Sequence, residues 1–219
     1  MKSTIRVFFG IFLAATTVTA TQAIAADGEN IFKAKNCQSC HYTAGPAREK
    51  SIADQLAKKG PELWYAGSKF QSAWLQKWLQ DPAVIRPLAY NSLSEMNLGN
   101  HARLAADDAV AVSEFLMSLV SSEVEAGVIK PKNHPKGRLI FRKKMPCSGC
   151  HQFPDRNKIS GGMSGPSLVG AGSRLNPDWI YAYLKNGQVF KPFKDMPTFA
   201  GLLRETDLQA VAAYIATFE

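Results

Sequence analysis

Cys37-Gln38-Ser39-Cys40-His41 and Cys147-Ser148-Gly149-Cys150-His151 use every cysteine of the 219-residue chain, in two copies of one five-residue pattern. In each copy two residues separate the thiols, and a histidine follows the second thiol directly. The chain repeats itself around these motifs. Residues 60–87 (GPELWYAGSKFQSAWLQKWLQDPAVIRP) align without gaps on residues 165–192 (GPSLVGAGSRLNPDWIYAYLKNGQVFKP), with 10 of 28 positions identical. Looser matches pair Ile31-Phe32-Lys33 with Ile140-Phe141-Arg142 before the cysteines, and Asp107 with Asp207 near each end. The repeat predicts two copies of one small domain, and the length suits two domains of ordinary size.

Apolar residues recur at near-helical spacing in residues 105–120 (Val110, Phe115, Leu119) and 205–218 (Leu208, Val211, Ile215). Shorter amphipathic stretches, 28–36 and 137–145, lead into the cysteine pairs. Helices are also expected over 72–79 and 177–185, with Pro177 in a first turn, and Thr206 and Asp207 are expected to cap the last helix. No run alternates with the period of a strand. The expected fold class is all-α, with tandem domains over 27–120 and 137–219. Residues 121–136 (SSEVEAGVIKPKNHPK), rich in Pro, Lys and small polar residues, are the expected linker.

Lys2 and Arg6 precede an apolar stretch from about Val7 to Ala20, and the small-residue run Ala23-Ile24-Ala25-Ala26 follows, the order of an export signal. The apolar stretch is shorter than the roughly 20 residues that span a bilayer. Residues 1–26 are therefore expected to be a signal peptide cleaved after Ala25 or Ala26, leaving a periplasmic chain with no transmembrane span. The formal charge of +8 is unevenly spread. Residues 27–125 hold 10 Lys/Arg against 12 Asp/Glu, a net of −2; residues 126–219 hold 14 against 6, a net of +8. The C-terminal half is thus expected to meet a partner with an acidic docking surface. Export and the lack of a nucleic-acid motif argue against nucleic acid as that partner.

C-x-x-C-H is the attachment signature of c-type haem. Two intervening residues bring both thiols to one edge of a porphyrin for thioether bonds to its vinyl groups, and the adjacent histidine turns to the iron. A zinc site built from both pairs would separate them by about 15–20 residues, against 106 between Cys40 and Cys147. A disulfide framework leaves the histidines unexplained. Cys37, Cys40, Cys147 and Cys150 are therefore expected to tether two haem c groups, with His41 and His151 as iron ligands.

With these residues the chain resembles the class I c-type cytochromes in two copies, and its layout resembles dihaem cytochromes of the c4 type. The resemblance implies that Gly28 and Phe32 of a first helix meet Phe115 of a last one, and that Gly137 and Phe141 likewise meet Tyr214. It also implies that Gly60-Pro61-Glu62-Leu63 and Gly165-Pro166-Ser167-Leu168 form the turn that follows the haem motif. A methionine sixth ligand is implied on a loop before the last helix. Met196-Pro197, 45 residues after His151, matches it. Met96, 55 residues after His41, is its counterpart, although Asn97 stands in place of the proline and the preceding loop is five residues longer. His101 competes with Met96 for that role. His134, in the basic linker, is expected at the surface; Met145, Met163 and the four tryptophans Trp64, Trp74, Trp78 and Trp179 are expected to pack.

Iron held by histidine and methionine has no open position, and methionine raises its reduction potential. The expected function is the shuttling of single electrons between periplasmic or membrane-bound redox partners. Two other classes stay open on sequence. A small dihaem redox enzyme of peroxidase type would need an iron that opens a position, and a fixed haem subunit of an oxidase or dehydrogenase complex would need a permanent partner.

Overall fold

The computed structural model describes residues 20–193 and 196–219, with side chains from Asp27 onward. Residues 1–19 of the expected signal peptide lie outside the described residues, as do Lys194 and Asp195 before Met196; its last residues, 20–26, fall within the first helix. The first half comprises α1 (Ala20–Ala34), α2 (Ile52–Ala57), α3 (Ala66–Lys69), α4 (Ser72–Gln80) and α5 (Ala106–Ser118). Helices α1 and α5 cross at Gly28, where a β-carbon would lie 1.9 Å from the Ala111 carbonyl oxygen. Only glycine lets the two backbones touch there. One turn on, Phe32 and Phe115 meet edge to face at 5.6 Å, within a core completed by Leu75, Leu79, Val112 and Leu116. After α1, Asn36 takes a left-handed φ of 58°, which asparagine tolerates, and turns the chain into the first cysteine.

The second half repeats this plan. It comprises α6 (Pro135–Leu139), α7 (Cys147–Cys150), β1 (Phe153–Asp155), β2 (Lys158–Ser160), α8 (Ala171–Arg174), α9 (Pro177–Phe190) and α10 (Glu205–Ile215). Here the crossing glycine is Gly137, whose β-carbon would lie 2.0 Å from the Ala210 carbonyl oxygen. Phe141 and Tyr214 pack edge to face at 5.9 Å, and Phe153, Phe190, Val211 and Phe218 close the core around them. Both helix contacts implied by the family resemblance are present, and the molecule is mainly helical.

Several details differ from the periodicity reading. The antiparallel hairpin β1–β2 was not foreseen, because strands of three residues are too short to show alternation. Helix α6 continues into a π turn over Ile140–Lys144, in which the Met145 N–H donates to the Ile140 carbonyl at 3.0 Å. Helix α9 runs past Lys185 to Phe190, with a break at Asn186. Arg204, not Thr206 or Asp207, stands at the N-cap of α10 and makes no side-chain cap bond. Asp207 instead pairs with Lys136 of α6, which ties the second half's first and last helices together and holds the carboxyl below its usual range.

The segment expected to link the halves is strapped to the second one. The Asp178 carboxylate accepts the Gly127 and Ile129 N–H groups at 2.7 Å each, and the Lys132 N–H donates to the Ala213 carbonyl at 3.0 Å.

The halves meet through equivalent positions of the repeat. Phe70 and Leu175, which align in sequence, form an isolated antiparallel bridge. Flanking it, the Gln71 N–H donates to the Arg174 carbonyl at 3.0 Å and the Asn176 N–H donates to the Lys69 carbonyl at 2.8 Å. Because Lys69 aligns with Arg174 and Gln71 with Asn176, the contact is its own approximate two-fold mate, the pattern of an isologous interface. Tyr65 stacks on Trp179 at 6.2 Å and 8°. The Lys69 ammonium lies 4.8 Å from the ring centres of Phe70 and Trp179, and burial pushes it down to about 7. Among the described residues no helix is long and apolar enough to cross a membrane.

Candidate functional site

The turn after each C-x-x-C-H motif fixes its histidine. His41 Nδ1 bonds the Pro61 carbonyl at 2.8 Å, and His151 Nδ1 bonds the Pro166 carbonyl at 2.7 Å. A carbonyl only accepts, so the proton sits on Nδ1 and Nε2 keeps its lone pair for a metal. The glycine before each proline makes the fit possible. A β-carbon at Gly60 would lie 2.9 Å from His41 Cε1, and one at Gly165 would lie 2.6 Å from His151 Cε1. Burial also pushes both imidazoles below their ordinary range, toward the neutral form that ligates.

Each thiol pair shares a single turn with its histidine, since the His41 and His151 N–H groups donate to the Cys37 and Cys147 carbonyls at 3.0 Å. None of the four cysteines is in a disulfide. Burial raises the Cys37 thiol and pushes that of Cys147 up to about 11, the opposite of what activates a redox thiol. Among the described residues no three His, Cys, Asp or Glu side chains group to hold a metal ion by themselves. Two thiols and one oriented imidazole per half fit a tethered haem. The structure thus brings together Cys37, Cys40 and His41 in one half, and Cys147, Cys150 and His151 in the other.

Open space lies beside the first motif and between the halves. A cleft of about 550 Å³ lies beside His41, lined by Gln38, Tyr42, Glu49, Lys58 and Glu62. Lys58 pairs there with Glu49 and Glu62, and Trp64 Nε1 donates to Glu62 at 2.7 Å. This charged network went unnoticed in the sequence, where the four-residue spacing of Lys58 and Glu62 is its one trace. A second cleft, of about 300 Å³, lies where Trp74 and Trp78 of the first half face Gln152, Ser167, Val169 and Arg174 of the second. The hairpin borders the second motif, because the Gly162 N–H donates to the Ser148 carbonyl at 3.0 Å.

The candidate sixth ligands fall differently in the two halves. Met196 packs against the second core. Met96 is 58% exposed and pairs with Leu88 across a loop ladder. His101 stands beside His41 with ring centres 6.0 Å apart, and against Trp78 at 4.7 Å. His134 is the N-cap of α6, its Nδ1 accepting the Lys136 N–H at 3.2 Å. Met145 packs as expected. Met163, expected to pack, is 45% exposed, because it sits in the loop between the hairpin and Gly165. Trp179 is buried, Trp74 and Trp78 pack on the first core, and Trp64 stacks on Phe190 across the interface at 5.9 Å.

Comparison with known proteins assigns both halves. Residues 25–120 match the family described as cytochrome c, and residues 132–215 match the family described as cytochrome c oxidase, cbb3-type, subunit III. A 105-residue stretch is 31% identical to cytochrome c oxidase subunit 2 of Bacillus subtilis, covering 46% of this chain and 28% of that relative. The chain therefore spans under a third of the relative's length. No solved structure matches.

Proposed function

Given that the chain is a c-type cytochrome with two haem-binding cytochrome c domains in tandem, we propose that it passes single electrons between periplasmic redox proteins, with one haem c in each domain. The observation that carries this is the matched pair of imidazoles, each locked at Nδ1 with Nε2 left to ligate. Cys37 and Cys40 would tether the first haem and Cys147 and Cys150 the second. His41 and His151 would be the proximal ligands, and Met196 the distal ligand of the second. The haem supplies the one-electron chemistry; the protein orients it, excludes water and sets its potential. Exported character, with residues 1–26 as a cleaved signal, belongs to the same reading.

For the second haem, Met196→Ala is expected to abolish a near-infrared sulfur-to-iron band and to lower one reduction potential, since methionine ligation raises it. Optical redox titration checks both outcomes.

The partner we propose has an acidic docking surface, and the oxidase subunits named among the similar proteins make a terminal oxidase the first to test. In the first domain Lys33 and Lys35 pair with Glu29 and Asp108. Of the two lysines that flank Met196 in sequence, Lys191 lies over the Tyr90 ring of the first half, and Lys194 is outside the described residues. The exposed cations near the second motif are Lys143, Lys144, Arg156 and Lys158. Reversing Lys143 and Lys144 to Glu is expected to slow association at low salt by roughly tenfold, and reversing Lys33 and Lys35 much less. Stopped-flow electron transfer across a salt series reads this directly, because the Debye length falls from about 30 Å at 0.01 M to about 10 Å at 0.1 M. A salt-independent rate would remove the basic domain as the docking face.

A further inference from the structure

Resting on the two-haem reading, we infer that the first haem is held by two histidines, His41 and His101, and that the two irons therefore have different ligand sets. Transition-metal bonds to imidazole nitrogen are about 2 Å, and the ring centre lies about 1 Å beyond, so one metal between two imidazoles holds their centres roughly 6 Å apart. The His41 and His101 centres are 6.0 Å apart.

The hydrogen bonds agree with this. His41 Nδ1 is tied to the Pro61 carbonyl, and His101 Nδ1 is tied in the same manner to the Ala102 carbonyl at 2.9 Å. In both rings the proton is fixed on Nδ1 and Nε2 is left as the donor, the state in which histidine ligates iron. Trp78 lies against the His101 ring at 4.7 Å, and its own indole N–H is anchored on the Ala83 carbonyl at 2.8 Å. His101 is therefore backed by a fixed wall.

The loop that carries His101 is braced on both sides. The Asn97 N–H donates to the Pro87 carbonyl at 2.9 Å and its side-chain amide to the Arg86 carbonyl at 3.0 Å; the Gly99 N–H returns to Asn97 Oδ1 at 3.0 Å. Beyond the histidine, the Leu104 N–H donates to the Leu79 carbonyl at 2.9 Å. Met96 occupies a ladder position opposite Leu88 and is 58% exposed, whereas Met196 packs on its core. A bis-histidine haem has a lower potential than a histidine–methionine one, because methionine is the ligand that raises it. The ligand sets thus give the chain a direction: electrons enter at the first domain and rest on the second.

The test is low-temperature electron paramagnetic resonance and near-infrared spectroscopy on the full-length oxidised protein, with covalent haem counted on the same sample by pyridine haemochrome assay. The wild type is expected to show two distinct low-spin signals and a sulfur-to-iron band of one methionine per two haems. Met196→Ala should remove that band completely, and Met96→Ala should leave the spectra and both potentials unchanged. His101→Ala should convert one low-spin haem to another state, and added imidazole should restore it. His101→Met should raise the lower potential and double the band. A band of two-methionine intensity, halved by Met96→Ala, would overturn the inference while leaving the two-haem reading intact. A haem count other than two per chain would instead overturn the reading on which it rests.

Discussion

Intact-mass spectra of the purified protein are expected to show two haem additions that survive acid–acetone extraction, and the Cys147→Ala, Cys150→Ala double variant is expected to show one. The effect is all or none because the tethers are covalent and each pair serves its own half. The surviving haem should keep the spectrum of the first domain, since Cys37 packs against a core built from residues of the first half. The second domain of the variant should also lose stability, as its core reaches the motif: Cys147 and Met145 pack against the second core. Loss of both haems from the variant would show that the domains do not assemble independently.

The largest packing effect should come from Gly137. In Gly137→Ala the new methyl would sit 2.0 Å from the Ala210 carbonyl oxygen and 2.9 Å from Tyr214 Cβ, so α6 and α10 must separate. Overpacking a closed contact costs about 1–3 kcal/mol or more, and a backbone atom that cannot swing aside puts this site at the upper end. At roughly 4–8 °C per kcal/mol for a domain of this size, the second thermal transition should fall by more than about 10 °C. Gly149→Ala is the control, because a β-carbon there meets nothing within 4 Å and its effect should stay within about 0.5 kcal/mol. Calorimetry distinguishes the two. Equal melting of both variants would mean that the helix crossing is not what holds the second domain closed.

What could be read from the chain and what could not divide along a physical line. The motif turns, the crossing glycines and the aromatic pairs were legible because each depends on a few residues close in sequence or on a repeated pattern. Gly28 and Gly137 were found through family resemblance, and the close backbone approach now supplies the reason for them. The π turn after α6 and the three-residue strands β1 and β2 were illegible, since neither carries a period long enough to detect. The strap formed by Asp178 was hidden for a different reason: one buried carboxylate takes two amides some 50 positions before it.

The contact between the halves was equally hidden. Residues 69–71 and 174–176 are visible as aligned repeats, but alignment says that they are equivalent, not that they touch. His101 is the sharpest case. Sequence offered it beside Met96 as a candidate ligand and could not rank the two by geometry, because the 60 positions that separate it from His41 are closed only by the packing of Trp78 and the bracing of the loop. The Lys58 network beside His41 likewise required the fold, as Glu49 reaches it from another segment.

The account turns on two electron-carrying haems in one chain, and spectroelectrochemical titration of the purified full-length protein tests that most directly. It predicts two one-electron steps per chain at separate potentials, with both haems low-spin in the oxidised and reduced states. A single one-electron step per chain, or a high-spin ferric haem in the resting protein, would contradict it.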